Sequence, residues 1–347
     1  MTASVLSNGG VPRVLWRGLG CLCAIAVAGF LLENLTNAPR GQIEFFLQTG
    51  LRAATPLILA ALGELLAEKA GLINIGLEGM ILAGAFFAFA AVTSTGSIPL
   101  GLAAAILAGV GLALLFGLLC IALRNDQIVT GAALNFLSLG VTGLFYRMFY
   151  GTTGSALIVE NLPTWSMAGL EGIPYAGPFL FGQTALTYLA ILAGVVLFSL
   201  FRWTRMGFHL EAVGEHPRAA DSAGIPVNRV RWAAILIEGM LCGLAGACLV
   251  LVNSNTFNEG MSNGRGFIAL AIVIFGRWKP LAIMAAAFFF GAAESLQFLL
   301  QATEVPWLRD NYPYLQMLPY LLTLIALAAA LGNARPPAAL GRHYHRE

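Results

Sequence analysis

The chain has 347 residues, 58% of them hydrophobic and 10% charged, with a net charge of +2 and a mean hydropathy of +0.79. Ordinary soluble domains carry about a quarter charged residues, so this composition excludes a soluble globular protein and indicates an integral membrane protein. The basic residues are scattered among short connections rather than gathered into a stripe, which leaves no footprint for nucleic acid.

Apolar windows of about 20 residues predict ten spans in one all-α transmembrane domain covering 1–347. They lie near 14–33, 45–66, 71–93, 99–122, 128–149, 184–202, 232–253, 266–277, 280–301 and 314–332, the eighth being short. Arg13 and Arg17 precede the first apolar run as in a secretion signal, but no small-x-small cleavage site closes it near Leu32. A retained first span is expected. With the N-terminus inside, most of the 19 Lys and Arg residues fall in cytoplasmic segments, so both termini, including the tail 333–347, are expected there.

The second span carries Arg52 and Glu64, and the third opens on GLINIGLEGM, residues 71–80. Asn74 and Glu78 are four residues apart and share a helix face, while Gly71, Gly76 and Gly79 permit a broken start and close backbone approach. Such a break requires protein or cavity water to satisfy it, and interrupted helices often supply substrate contacts in transport proteins. The other reading is structural: a tight helix crossing, with Glu78 bonded to a neighbouring backbone or Arg. Both stay open.

Asn135, in the middle of the fifth span, can read a sugar hydroxyl or a base edge, or bridge two helices. Arg147 lies in the same span, and Gln127 and Asn253 lie closer to span ends. The connection 150–183 is rich in Gly and Pro and has only Glu160 and Glu171 charged, as an external segment should. Its Trp165 and Tyr175 suit either the membrane interface or ordinary packing. Further on, Gly239, Gly243 and Gly246 place small residues on one helical face for close packing. Glu238 and Glu294 occupy later spans, where pairing with one another or with Arg52 stays open because sequence alone assigns no partner. Arg265, in the GRGF motif opening the eighth span, reads as a gate residue or an interfacial anchor.

Several chemistries are missing. There is no G-x-x-x-x-G-K-[ST] phosphate loop, HExxH site or GxSxG elbow, so neither ATP hydrolysis nor another enzymatic activity is expected. The five cysteines lie in apolar runs without metal-ligand spacing and read as packing residues. His343 and His345 in the tail make a weak metal motif against a solvated tail. No metal or cofactor is expected.

The polar connection 203–231 is predicted to be cytoplasmic and to contain a two-turn helix from Pro217 to Ala223, with Gly224 ending it in the left-handed conformation. So short a helix is marginal alone and makes sense docked into a socket on another protein, or packed against its own membrane domain.

Three stretches carry a resemblance: ATPLILAALGELLAEKAGLINIGLEGMILAGAF, EAVGEHPRAADSAGIPVNRVRW and GRGFIALAIVIFGRWKP. In this order they resemble permease subunits of ABC importers in the ribose, nucleoside and branched-chain amino-acid group, most strongly the nucleoside and simple-sugar branch, from about residue 45 to 332. The resemblance implies a ten-span type II importer fold in a bacterial-type plasma (inner) membrane. It also implies a cytoplasmic ATP-binding subunit, a second and different permease, and an extracytoplasmic solute-binding protein. It maps the ATPase-coupling element onto Glu215, His216, Pro217, Arg218, Ala219, Ala220, Asp221, Ser222, Ala223 and Gly224; relatives often carry Asn at the position of His216, a better helix cap.

The expected function is passage of a small neutral polar solute, a nucleoside, by alternating access, with Asn74, Glu78, Asn135, Glu238 and Arg265 as candidate pathway residues. The rivals are the same machine carrying a simple sugar or riboflavin, an ion-coupled secondary transporter using Glu78 or Glu238, and a membrane scaffold.

Overall fold

The computed structural model describes residues 39–151, 157–166, 172–301 and 335–344, together with short pieces at 29–30, 33–34, 169–170 and between 314 and 328. The first and last expected spans, 14–33 and 314–332, fall largely outside the described residues. Those described cluster into two compact units.

The larger unit comprises residues 50–163 and 184–347. Its helices are α1 (Arg40–Lys69, from Gly50 onward), α2 (Leu77–Thr95), α3 (Ile98–Gly117) and α4 (Gln127–Tyr150), followed by α6 (Ala185–Trp203), α7 (Arg205–Glu215), α8 (Pro217–Ser222), α9 (Val227–Cys248), α10 (Arg265–Phe275) and α11 (Pro280–Gln301). Helices α3 and α9 each continue into a wider π-helical turn, at Leu118–Ala122 and Leu249–Ser254. Among the described residues, seven helices are long and apolar enough to cross a bilayer, and Arg265–Phe275 is a shorter apolar helix.

The third span begins later than its hydrophobicity suggests. Helix α1 stops at Lys69, and α2 starts only at Leu77. The stop has a local cause: Gly71 adopts φ +82°, its N–H bonds Glu68 O (2.9 Å), and the Leu72 N–H bonds Ala67 O (2.9 Å). These two bonds form a Schellman motif, which closes a helix wherever a residue free of Cβ can turn left-handed. Apolar Leu72, Ile73 and Ile75 therefore lie in an irregular segment between two helices.

Helices α2, α3 and α9 cross at backbone contact. A methyl group on Gly84 would stand 2.5 Å from Gly243 O, and one on Gly109, Gly243 or Gly246 would fall even closer to a facing carbonyl. Small residues permit such crossings and apolar association without a hydrophobic driving force between helices in lipid. Cys120, Cys242 and Cys248 are free and buried.

Between α6 and α9 lie two short helices. Thr204 caps α7 through its hydroxyl, which accepts the Gly207 N–H (3.2 Å), and Pro217 occupies the first turn of α8. His216 precedes α8 without a side-chain cap bond. A second Schellman motif ends α8: Gly224 N–H to Asp221 O (2.9 Å) and Ile225 N–H to Ala220 O (2.9 Å), with Gly224 at φ +84°.

The smaller unit comprises residues 1–49 and 164–183. It contains the beginning of α1, the strand β1 (Thr164–Ser166), the short helix α5 (Ala176–Phe181) and most of the strand β2 (Gly182–Thr184), which pairs with β1. These strands are a small departure from the all-helical expectation. Ile43, Leu47 and Tyr175 form its core, so Tyr175 is a packing residue, whereas Trp165 is exposed.

Candidate functional site

Glu64, Asn74, Gln127, Asn135 and Glu238 converge on the break between α1 and α2. Unwound backbone in an apolar setting leaves N–H and C=O groups that cost several kcal/mol each if unpaired. Here distant side chains meet them. Ile73 N–H donates to Gln127 Oε1 (2.8 Å), and Asn74 N–H to Glu64 Oε1 (3.3 Å). Gly76 N–H donates to Asn74 Oδ1 (2.8 Å), and Ala70 O accepts from Arg231 Nε (3.1 Å).

Asn135 clamps the other side. Its Nδ2 donates to Ile75 O (2.9 Å), while its Oδ1 accepts from Gly79 N–H (2.8 Å). One turn earlier on α4, a Cβ on Gly131 would stand 2.7 Å from Gly76 N, so α4 approaches the break backbone to backbone. The Gly131 to Asn135 spacing thus puts a space and a clamp on one helix face.

Glu78 is a helix cap rather than a free carboxylate. Its Oε1 accepts from Gly264 N–H and its Oε2 from Gly266 N–H, both at 2.7 Å, at the start of α10. A carboxylate is favoured there because the first N–H groups lack helical acceptors and the helix dipole is positive at that end. Gly266 is required by the approach itself, since a Cβ would stand 2.5 Å from Glu78 N. Arg265 pairs with Glu294 and also donates to Met261 O (3.1 Å).

Glu238 accepts from Asn74 Nδ2 (2.6 Å), with the Glu64 carboxyl as its neighbour. The partners that sequence left open for Glu238 and Glu294 are thus assigned: Glu238 serves the break and Glu294 serves Arg265. Asn74, Glu64 and Glu238 are fully buried.

Four contacts were not anticipated from sequence: Gln127 to Ile73, Arg231 to Ala70, Trp278 Nε1 to Glu68, and Lys69 Nζ to Glu211 Oε1 (2.9 Å). Gln127 carried a weak signal as a polar residue at a span end. Near the end of α4, the Arg147 guanidinium donates to Glu259, in the connection outside the spans, and holds its carboxyl below the usual carboxylate range. The pair is exposed and contributes little.

Beside the break lies a cleft of about 420 Å³, lined by Ile75, Glu78, Gly79, Asn135, Phe136 and Phe267 among others. Of the expected pathway residues, Glu78 and Asn135 reach its wall, whereas Asn74 and Glu238 are buried in the brace and Arg265 lies in the ion pair with Glu294. Most of the lining is apolar.

One result separates the amide of Asn74 from a passive filler. Asn74→Asp removes the donor to Glu238 and sets a carboxyl against a carboxyl, so thermal stability should fall by about 1–3 kcal/mol. Adding Glu238→Gln supplies a donor again and should recover part of the loss. Strictly additive effects in a double-mutant cycle of thermal unfolding would separate the two side chains.

A break braced between spans, an apolar cleft beside it and, among the described residues, seven bilayer-length helices define a multi-pass membrane protein. The chain belongs to the branched-chain amino acid transport system / permease component family, whose sequence profile matches residues 46–327. It is 38% identical over 300 residues to the guanosine ABC transporter permease protein NupQ of Bacillus subtilis (strain 168), covering 84% of this chain and 93% of NupQ. It is 35% identical over 303 residues to the nucleoside ABC transporter permease protein NupC of Lactococcus lactis subsp. cremoris (strain MG1363), covering 84% and 93%. Its fold is similar to a solved metal-chelate type ABC transporter in an inward-facing conformation, with a TM-score of 0.53, 17% identity and coverage of 92% of this chain and 99% of that one.

Proposed function

We propose that this permease forms half of a pathway that carries nucleosides into the cell, shared with a second, different permease. In this reading an extracytoplasmic binding protein delivers the solute, and a cytoplasmic ATPase drives alternating access. The observation that carries the cargo class is the cleft at the break. The carboxylate of Glu78 on its wall is already spent on two backbone N–H groups, and Phe136 and Phe267 offer apolar faces. A wall of this kind suits a neutral solute with a flat ring and opposes a charged one, whose desolvation it leaves uncompensated. The names of NupQ and NupC agree with that class. Weak contacts serve a pathway, because a tight internal site slows release.

Reconstitution with the partner ATPase, second permease and receptor tests the reading through uptake of labelled nucleosides, simple sugars and riboflavin. Preference for a sugar or riboflavin reassigns the cargo. Uptake that survives collapse of the proton gradient but stops with an ATPase carrying a mutated Walker motif excludes ion coupling.

Residues 203–231 form the cytoplasmic coupling loop in this reading, with α8 and its flanks, Glu215 to Gly224, as the ATPase contact. A six-residue helix opened by Pro217 and closed by the Schellman turn at Gly224 presents a compact knob. Arg218→Ala combined with Asp221→Ala is expected to leave the permease inserted and the ATPase active, while solute carried per ATP drops by an order of magnitude or more. Normal transport by the double variant removes the coupling assignment.

A further inference from the structure

The C-terminal segment 335–344 is anchored by Pro337, Ala339 and Tyr344, which are buried between more exposed neighbours, and it touches both the break and the coupling helices. Ala339 N–H donates to Gly214 O (2.8 Å) near the end of α7, and Ala338 N–H to Glu215 Oε2 (3.3 Å). Two residues after Ala339, Gly341 N–H donates to Gly71 O (3.1 Å), in the left-handed turn that opens the break. Gly341 itself sits at φ +73°, where a Cβ would press on Ile73 Cδ1 at 3.1 Å, so the position favours glycine both for its backbone and for its space. Tyr344 is buried in a cluster with Val213 of α7, Ala220 of α8 and Val227 of α9.

These contacts have a mechanical consequence. Two Cα steps separate Ala339 from Gly341, so the chain between their two bonds spans at most about 7.6 Å. It has no slack. A displacement of the end of α7 either carries the Gly71 turn with it or breaks a bond. The Tyr344 ring seats the same segment against α8, so α8, α7 and the break are joined by one short stretch of chain.

We propose that residues 337–344 act as a strap that transmits movement of the coupling helix to the break holding Asn74, with Tyr344 as its positioning residue. This inference rests on α8 being the ATPase contact. Among the described residues, α8 otherwise reaches the break through α7, whose Gly214 lies against Lys69 and Gly71, and through α9. With the strap, the hinge at Gly71 follows the loop directly, and the wall of the cleft carrying Ile75 and Gly79 follows the hinge.

The test uses the full transporter with its ATPase, second permease and receptor, in vesicles, measuring solute uptake and ATP hydrolysis together. Tyr344→Ala is expected to lower uptake per ATP about fivefold while the ATPase remains bound, and Tyr344→Phe, which keeps the buried ring, to stay within about twofold of the parent. Unchanged uptake per ATP in Tyr344→Ala overturns the strap, as does an equal loss of uptake and ATPase binding. If Tyr344→Ala does not insert, hydrogen exchange on the unaltered complex decides. Amides of Ala339 and Gly341 should change protection together with those of residues 70–72 between ATP-free and ATP-bound states, and independent exchange overturns the proposal. The Arg218 and Asp221 double variant keeps the two ideas apart. Coupling that survives it sinks the α8 assignment, whereas uncoupling there with none in Tyr344→Ala sinks the strap alone.

Discussion

Replacing Glu78 with alanine is expected to destabilise the protein by about 3–6 kcal/mol, because two backbone N–H groups each lose a charge-assisted hydrogen bond worth roughly 1.5–3 kcal/mol. That is a large share of a typical folding stability of about 5–15 kcal/mol. The loss should appear as reduced membrane abundance and a lower thermal midpoint in detergent. Glu78→Gln keeps one acceptor oxygen, but its amide NH₂ faces a second N–H, so its effect should be intermediate. The ordering Ala worse than Gln, with solute preference unchanged in whatever protein survives, identifies Glu78 as the brace between α2 and α10. A Glu78→Ala protein of parental stability and altered solute preference would instead make it a pathway residue, and the two observed bonds would then be incidental.

The second large effect comes from a pair of glycines two residues apart. Gly109 on α3 faces the Gly239 carbonyl of α9 at backbone contact, whereas a Cβ on Gly111 meets no atom within 4 Å. Overpacking costs about 1–3 kcal/mol when side chains can yield, and more when the obstacle is backbone. Gly109→Val is therefore expected to force α3 away from α9 and to abolish accumulation in the membrane. Gly111→Val, with the same change in propensity and apolarity on the same helix, should accumulate normally. Equal abundance of the two variants would show that the crossing of α2, α3 and α9 is not as close as described.

Much of the arrangement is legible residue by residue. The apolar runs mark where helices lie, because a bilayer demands about 20 residues of satisfied backbone. Gly71 marks the break, and Pro217 and Gly224 mark the ends of α8, since each acts through its own φ and nearest neighbours. The extent of the break was hidden. Leu72, Ile73 and Ile75 are as hydrophobic as helix, and the bonds that let Ile73 and Ile75 leave it come from Gln127 and Asn135, far along the chain. Their burial looks the same in either conformation.

The site divides in the same way. That Asn74, Glu78, Asn135, Glu238 and Arg265 have special partners follows from the cost of placing them in hydrocarbon. Who those partners are does not follow. Asn135 reaches Gly79 across 56 residues, Asn74 reaches Glu238 across 164, and Glu78 reaches Gly264 across 186. No periodicity encodes such a match, and Glu294 shows the consequence, being paired with Arg265 and not with Glu238. The tail shows it again: Arg335 to Tyr344 is unremarkable as sequence, and its seat exists only once Gly71, Gly214 and the Val213 cluster have been assembled.

The sequence by itself therefore determined the membrane class, the approximate positions of the helices among the described residues, the glycine stops between them and the polar residues that need a partner, because each is set by local backbone chemistry or by transfer from water to hydrocarbon. Only the tertiary structure decided that Glu78 caps α10, that Asn74 and Asn135 brace a break, and that the C-terminal segment joins that break to α7 and α8. Those contacts depend on directed hydrogen bonds over a few ångströms between remote segments, and such distances are properties of the packed chain.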